Sequence, residues 1–483
     1  FAANELAVRI DDAKPKVVLA ASCGVEPNKV IHYKPLLNDA INTAKHKPQH
    51  CMIFQRPESI ATLDQSYDVD WTVQVSKATS VDCVPVKATD PLYILYTSGT
   101  TGTPKGILRD NGGHAVAMKY SMEAIYDMKP GDVFWAASDV GWVVGHSYIV
   151  YAPLIHGCTT VLYEGKPIGT PDAGAFWRVV SEYNVKALFA APTAFRAIKK
   201  QDSEAKLAKK YNLDSLQTMF IAGERLDPPT YHWLNENFQR PIIDHWWQTE
   251  TGWAIAANMV GIERLPTKPG SSCVPTPGFN IEIIDDEGNV LPAGEQGNIA
   301  VKLPMPPSCL PGIWQDFPRF KKVYLDPIPG YYLSGDGGYF DDDGYLFIMG
   351  RIDDVINIAG HRLSTGRMEE VVAAHSSVAE CAVVGINDDL KGQLPVGFVI
   401  LKDGVDISED KLREEVVALV RGEIGAIACF HQMHVVSRLP KTRSGKVLRK
   451  VIRQIAHGEE FVVPSTIDDP ASLGEFFDLL APA

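Results

Sequence analysis

The chain has 483 residues, of which 45% are hydrophobic and 22% charged, and its formal net charge is −13. This length predicts about two to four domains with enough apolar material for their cores. The acidic balance argues against a general nucleic-acid-binding protein, and no stretch approaches the roughly 18 uninterrupted apolar residues of a membrane span.

Eight cysteines are spread along the chain without a CxxC pair or a metal-like Cys/His cluster. This spacing favours reduced core thiols in a reducing compartment, which is the cytoplasm or, in a eukaryote, the mitochondrial matrix. Because the chain begins at Phe1 rather than Met, we expect that a leading segment is absent.

Short β-rich runs alternate with helical patterns over the first 350 residues or so, for example at 16–20, 187–191 and 218–222. Such alternation predicts α/β layers with largely parallel strands. Residues 270–302 change to hairpin-like segments and predict a β-rich subdomain, whereas the Pro-rich residues 304–329 predict a long irregular connector.

Residues 91–96 (PLYILY) predict a short buried strand, which runs into the turn-prone sequence TSGTTGTPKG. Small residues let the backbone approach an anion closely, and its amides and hydroxyls can donate to phosphate oxygens. The spacing differs from the common GxxxxGK[ST] loop because Gly106 follows the lysine. The candidate phosphate-binding residues are Thr97, Ser98, Gly99, Thr100, Thr101, Gly102 and Lys105.

Three further motifs follow in order: HWWQTETG at 245–252, SGDGGYFDDDGYLFIMGRIDDVINIAGHRLS at 334–364, and LPKTRSGK at 439–446. With these motifs the chain resembles the adenylate-forming superfamily, closest to the propionyl-CoA and acetyl-CoA synthetase branch of AMP-forming acyl-CoA synthetases. The resemblance implies an α/β fold with a large N-terminal domain (1–352) that contains the β-rich subdomain. It also implies a small mobile α+β domain (353–460) after a hinge at Asp353, and a tail (461–483).

The resemblance also implies ATP, coenzyme A and a short-chain carboxylate as substrates, with Mg²⁺, and neither nucleic acid nor a membrane as partner. It assigns the α-phosphate to Thr249, Mg²⁺ to Glu250 and the ribose to Asp336. Further implied nucleotide contacts are Gly223, Glu224, Arg225, Asp244, His245, Trp246, Gln248, Arg351 and Arg362. Arg225 departs from the family pattern, which often has Pro there.

Lys446 matches the catalytic lysine of the family, on a Gly-containing loop that can deliver a cation to the site. Acetylation there would remove the charge, so regulation by acetylation is a hypothesis. His146 is added to the catalytic set. His375 with Ala373 and Val378 resembles a Mg²⁺ site in the C-terminal domain of the acetate branch. A structural role explains either histidine equally well.

The CoA site is implied by Ala359 and Gly360, in a loop that resembles the border of the pantetheine tunnel, and by Arg421. Near the N-terminus, Glu26 and Lys29 stand where the acetate branch has two arginines. CoA phosphate binding by Lys29 must therefore differ in detail. This variant looks like the propionyl branch, as does the tail TIDDPASLGEF.

The acyl pocket is assigned to four residues: Val143, Val144, Ala222 and Trp247. By resemblance, Trp247 is the bulky floor that keeps acyl chains short. Val144 replaces a Thr of the acetate branch and Ala222 replaces a Val, so both changes favour one more methylene. Plain core packing is the alternative for the apolar residues, and one methylene discriminates by only about 1–3 kcal/mol.

The sequence therefore predicts a propionate–CoA ligase (AMP-forming). Alternatives are an acetyl-CoA synthetase, or a 3-hydroxypropionyl-CoA synthetase cut from a larger enzyme. A peptide-synthetase adenylation module is disfavoured because Ser215 lacks the surrounding helices of a carrier domain. A non-catalytic nucleotide-binding protein is disfavoured by the intact Glu250, Asp336 and Lys446.

Overall fold

The computed structural model describes residues 2–97, 104–359, 361–442, 445–461, 463–464 and 467–480, without the side chains of Asp353, His361 and Arg362. The chain divides into two compact units. The first comprises Phe1–Asn111 and Gly312–Gln315, and the second comprises Gly112–Pro311 and Asp316–Ala483.

The first unit contains a three-stranded parallel sheet in the order β1-β4-β5, and two hairpins, β2-β3 and β6-β7. Helices α1 and α2 cover a small core around Ile10, Leu37 and Ile53. The elements are α1 Ala3–Ala13, β1 Val17–Ala21, β2 Cys23–Glu26, β3 Lys29–His32, α2 Tyr33–Thr43, β4 His50–Phe54, β5 Asp68–Asp70, α3 Trp71–Lys77, β6 Pro91–Thr97 and β7 Lys105–Asp110.

The second unit opens with a parallel five-stranded sheet in the order β12-β11-β10-β8-β9, as the alternating pattern predicts. Its strands β10, β11 and β12 are buried along their whole length, which is typical of a sheet covered on both faces. The elements are α4 Asn111–Ala124, β8 Val133–Ala136, α5 Val143–Gly145, a π-helix His146–Tyr151, α6 Ala152–His156, β9 Thr159–Thr160, α7 Ala175–Tyr183, β10 Ala187–Ala190, α8 Pro192–Gln201, β11 Thr218–Ile221, α9 Pro228–Phe238 and β12 Ile242–Asp244.

The predicted β-rich residues 270–302 supply β15 and β16 of an antiparallel four-stranded sheet in the order β15-β16-β17-β18, and β17 and β18 come from later in the chain. Its elements are β13 Ala256–Ala257, β14 Val274–Pro275, β15 Asn280–Ile284, β16 Gly297–Lys302, α10 Phe317–Tyr324, β17 Tyr331–Phe340 and β18 Leu346–Arg351. Helix α10 corrects the prediction of an irregular connector at 304–329. The Asp316 side chain accepts from the Arg319 N–H at 3.1 Å, and Pro318 lies in the first turn, so the proline starts a helix instead of excluding one.

The C-terminal part of the second unit is a sheet in the order β20-β19-β22-β21, with β23 paired in parallel to β22. Apolar clusters cover both faces of this sheet. The elements are β19 Ile356–Ile358, β20 His361–Leu363, α11 Thr365–Ala373, β21 Val378–Asp388, β22 Gly392–Leu401, α12 Glu409–Glu423, β23 Gln432–Val435, α13 Arg449–Ala456 and α14 Gly474–Leu480. The predicted hinge lies in a 3₁₀ turn, Ile352–Asp354, and the division into domains there stays a prediction.

Two further expectations need correction. Within the strand predicted at 91–96 only Leu95 is buried, because β6 has β7 as its single strand neighbour in the part of the chain that the structure describes. Not all cysteines are core thiols: Cys83 is exposed, while Cys23, Cys51, Cys158 and Cys273 are buried. Among the described residues, no helix combines the length and the apolar character that crossing a membrane would require.

Candidate active site

The carboxyl ends of the parallel strands β8, β10, β11 and β12 place several predicted site residues at one edge of the sheet. Ala222 directly follows β11, the HWWQTETG motif directly follows β12, and Val143 lies in the segment after β8. Ligands of open α/β sheets bind at this edge. The topology therefore brings the predicted acyl-pocket residues and the predicted nucleotide motif together.

The structure brings four predicted nucleotide residues into one hydrogen-bonded cluster around Asp336. Trp246 Nε1 donates to its carboxylate at 3.1 Å, and Gln248 Nε2 donates at 2.7 Å. Arg351, the partner of Asp336 in the β17-β18 register, donates at 3.2 Å. Burial raises the pKa of Asp336, and the Arg351 charge and these donors oppose that rise. The result is an oriented carboxylate, held from three sides, that suits a vicinal diol.

Glu250 lies in the HWWQTETG motif, after Trp246 and Gln248. Glu250 and its neighbour Thr249 are both half-buried. The Tyr324 hydroxyl, at the end of α10, donates to the Glu250 carboxylate at 2.6 Å. The Glu250 backbone oxygen accepts from the Leu310 N–H at 2.9 Å. The described residues contain no cluster of three or more His, Cys, Asp or Glu side chains around a possible metal. One carboxylate fits Mg²⁺ that takes its remaining ligands from phosphate oxygens and water.

The turn after β11 carries two charged residues, and each is held by an ion pair. Gly223 has φ +105°, a left-handed conformation that side chains rarely adopt. Glu224 pairs with Arg196 on α8, and Arg196 also pairs with Asp227 at 3.0 Å. Arg225 pairs with Glu370 on α11 at 3.1 Å. Both predicted charges of this turn thus have protein partners, and their contact with nucleotide stays a prediction.

Asp244 and His245 are buried where β12 ends, with 7% and 1% of their surface exposed. His245 Nδ1 lies 2.7 Å from the Ile221 carbonyl oxygen, and Nε2 lies 2.9 Å from the Tyr126 hydroxyl. Burial lowers the pKa of His245 to about 4 and raises that of Asp244 to about 7. The neutral His245 ring therefore donates to Ile221 and accepts from Tyr126. Here the ring lies beside that of Trp247, with centroids 6.5 Å apart, and direct nucleotide contact by the His245 ring stays a prediction.

Trp247 lies on the aromatic cluster behind the predicted acyl pocket. Its ring packs edge-on to Tyr148, with centroids 5.4 Å apart, and is nearly parallel to His245 at 6.5 Å. Val143 and Ala222 are buried, whereas Val144 is half-buried. His146 begins the π-helix after Gly145, two positions beyond Val144, and such helical irregularities are frequent at functional sites. These positions fit a pocket wall, and the pocket itself stays a prediction.

The predicted phosphate loop connects β6 and β7 in the first unit, where Thr97 pairs with Lys105 in the hairpin register. The loop residues Ser98, Gly99, Thr100, Thr101 and Gly102 lie outside the described residues. The Thr97 hydroxyl is buried without a hydrogen-bond partner in the described structure. Lys29, also in the first unit, is exposed in the β2-β3 hairpin opposite Glu26.

Lys446 is exposed, and its backbone N–H donates to the Thr442 hydroxyl at 3.1 Å. Gly445 has φ +89°, and a Cβ there would lie 2.9 Å from Cγ2 of Thr193. Thr193 lies in the first turn of α8, directly after β10. The glycine therefore lets the loop of Lys446 pack closely against the same sheet edge that carries the site.

The remaining predicted site residues of the C-terminal part differ in exposure and in hydrogen bonding. Ala359 has φ +49° and donates its N–H to the Lys391 carbonyl at 2.8 Å, while Gly360 lies outside the described residues. Arg421 is exposed in the last turn of α12. His375 Nε2 lies 2.9 Å from Glu415, and its Nδ1 accepts from Ser377 N–H at 3.2 Å. The Mg²⁺ site at Ala373, His375 and Val378 stays a prediction, as does any role of Arg362.

Comparison with protein families matches residues 1–314 to the AMP-binding enzyme family and residues 367–446 to the AMP-binding enzyme C-terminal domain. The chain belongs to the AMP-binding enzymes. Acyl-CoA synthetase short-chain family member 3 of Mus musculus is 50% identical over 487 aligned positions, which cover 100% of this chain and 71% of the mouse protein. Propionate–CoA ligase of Escherichia coli is 44% identical and covers 98% of this chain and 76% of that protein.

A solved structure, acetoacetyl-CoA synthetase from Streptomyces lividans, superimposes with a TM-score of 0.85 at 24% identity, over 99% of this chain and 72% of that one. These matches confirm the predicted fold and the resemblance to AMP-forming acyl-CoA synthetases of the adenylate-forming superfamily. For this AMP-binding enzyme the sequence did not predict Tyr324, Tyr332 or Tyr126. No motif marks them, since each reaches the site from a separate segment.

Proposed function

We propose that this enzyme is a propionate–CoA ligase that forms propionyl-AMP and then propionyl-CoA. As an AMP-forming acyl-CoA synthetase it activates a short-chain acid with ATP and transfers the acyl group to CoA. The observation that supports the first step best is the oriented Asp336 carboxylate. It is held by Arg351 and by Trp246 and Gln248, which belong to the same motif as Glu250.

In the first half-reaction a carboxylate oxygen of the acid attacks the α-phosphorus of ATP, and the bond to pyrophosphate breaks. Asp336 would hold the ribose hydroxyls, and Thr249 would donate to the α-phosphate. Lys446 would orient the attacking carboxylate with its ammonium group. Glu250 would hold Mg²⁺, which when bound neutralises phosphate charge. Positioning and electrostatics carry most of the catalysis in such phosphoryl chemistry.

In the second half-reaction the CoA sulfur attacks the acyl carbonyl and AMP leaves. We propose that Ala359 and Gly360 border the path of the pantetheine arm, with Arg421 and Lys29 available for CoA phosphates. Lys446 would withdraw from the site for this step by rotation of the segment after Asp353. The exposed position of Lys446 also makes it accessible to acetylation, which would remove the cation from the first step only.

The choice of propionate depends on the pocket residues. Ala222 offers more room than valine would, and Val144 offers an apolar wall, while Trp247 limits chain length. Because one methylene contributes only about 1–3 kcal/mol, acetate remains the nearest competing substrate.

Eight free cysteines are compatible with the cytoplasm or the mitochondrial matrix.

Lys446→Ala tests the division of labour between the half-reactions. We expect loss of propionyl-AMP formation from propionate and MgATP, with thioester formation from supplied propionyl-AMP and CoA retained. Lys450→Ala changes another exposed lysine four positions further along; it is the matched control and should retain both halves. Equal loss of both halves in Lys446→Ala would contradict the assignment.

A further inference from the structure

Tyr324 is joined to the predicted metal carboxylate although it lies outside every motif. Its phenol is 5% exposed and donates to Glu250 Oε1 at 2.6 Å. A phenol carries one O–H donor, and the short distance to Oε1 makes the Tyr324 hydroxyl a donor to Glu250.

The Tyr324 ring is itself held in place. It stacks on Tyr332 with centroids 5.4 Å apart and an interplanar angle of 8°. The Tyr332 hydroxyl donates to Gln248 Oε1 at 2.9 Å, and Gln248 Nε2 donates to Asp336 at 2.7 Å. The two stacked tyrosines thus connect the carboxylate proposed for Mg²⁺ with the carboxylate proposed for ribose.

We propose that Tyr324 is a positioning residue for metal-dependent ATP binding, and that its hydroxyl fixes the Glu250 carboxylate in the orientation that accepts Mg²⁺. This inference rests on the proposed function in one respect, the role of Glu250. Metal-ligating carboxylates are commonly held by hydrogen bonds from a second layer of residues. Removing the hydroxyl removes the 2.6 Å hydrogen bond that helps to orient the Glu250 carboxylate.

The decisive variant is Tyr324→Phe, because it removes only the hydroxyl and keeps the ring that stacks on Tyr332. ATP affinity is measured by equilibrium dialysis, once with Mg²⁺ and once with EDTA, so that no turnover is needed. We expect MgATP affinity to fall by about tenfold, the lower end of the range that is typical for loss of such a supporting hydrogen bond. Metal-free ATP affinity should stay unchanged, which a general structural defect would not produce.

The matched control is Tyr331→Phe. The Tyr331 hydroxyl also donates to a carboxylate, that of Glu282. This contact joins β17 to β15 across the intervening strand β16. Tyr331→Phe should leave both affinities unchanged. Equal weakening of MgATP and free ATP in Tyr324→Phe, or no change in either, would overturn the proposal.

Glu250→Gln completes a double-mutant cycle. The cycle measures the coupling between Tyr324 and Glu250 separately from any general structural effect of either single variant. In the Glu250→Gln background, the change Tyr324→Phe should have no further effect on the ratio of MgATP to ATP affinity. An undiminished effect there would mean that Tyr324 acts through another group. If the wild type binds MgATP tightly but activates no acid, the proposed function fails while the role of Tyr324 is still decided by binding.

Discussion

Asp244→Asn should expose a pH dependence that the native pair Asp244–His245 conceals. Burial raises the pKa of Asp244 from 3.8 to about 7 and lowers that of His245 from 6.5 to about 4. Between pH 4 and 6.5 the native pair carries one proton, on Asp244. The unfolded pair also carries one proton, on His245. Equal proton counts make the contribution of the pair to stability independent of pH in this window.

Asp244 and His245 change the free energy of unfolding in opposite directions as the pH rises. The contribution of Asp244, whose native pKa is raised, is complete below pH 3.8 and is lost as the pH rises to about 7. The contribution of His245, whose native pKa is lowered, is complete above pH 6.5 and is lost as the pH falls to about 4. In Asp244→Asn only the histidine remains. The free energy of unfolding of the Asp244→Asn variant should therefore fall by roughly 3 kcal/mol from pH 6.5 to pH 4, at about 1.4 kcal/mol per pKa unit.

The assay is the thermal midpoint of wild type and variant across this pH range. We expect the midpoint of Asp244→Asn to fall progressively below that of the wild type as the pH decreases from 6.5. Asp214→Asn makes the same chemical change at an exposed aspartate and should follow the wild-type profile. Parallel profiles of wild type and Asp244→Asn would refute the opposed titration of the two buried residues.

Three further predictions concern the acyl pocket and the first unit. Ala222→Val should shift the ratio of kcat/KM for propionate over acetate towards acetate by about tenfold. An unchanged ratio in acid-dependent AMP formation would remove Ala222 from the pocket. Trp247→Ala removes the ring that packs on Tyr148. It should raise kcat/KM for butyrate and longer acids, relative to propionate, by about tenfold. No gain with any longer acid would contradict the role of Trp247 as the floor of the acyl pocket. Lys34→Met leaves buried Asp68 without the ammonium 2.8 Å away and should lower the free energy of unfolding by about 3–5 kcal/mol. Urea denaturation would detect this loss, and Lys34→Met with Asp68→Leu should recover most of it.

The fold was predictable where local patterns decide it. The apolar runs of β10, β11 and β12 are fully buried in a parallel sheet, as their sequences indicate. Helix α10 was missed because a Pro-rich composition hides a capped helix start at Asp316.

The candidate site was predictable only for residues inside continuous motifs. The cluster of Trp246, Gln248 and Asp336 joins two motifs that the sequence had already singled out. The contact of Tyr324 with Glu250 spans 74 positions and depends on how α10 packs. Arg225 resembled a nucleotide contact in the sequence, yet its partner Glu370 comes from α11. Such pairings follow from tertiary packing, which residue patterns do not encode locally.

Carboxylate-dependent ATP–pyrophosphate exchange tests the proposed activity most directly. The wild-type protein is assayed with MgATP and acetate, propionate, butyrate or 3-hydroxypropionate, and exchange without acid is the control. We predict exchange that depends on the acid and is fastest with propionate. No exchange above the acid-free control with any of the four acids, in a protein that binds MgATP, would contradict the proposal that this enzyme activates short-chain carboxylates.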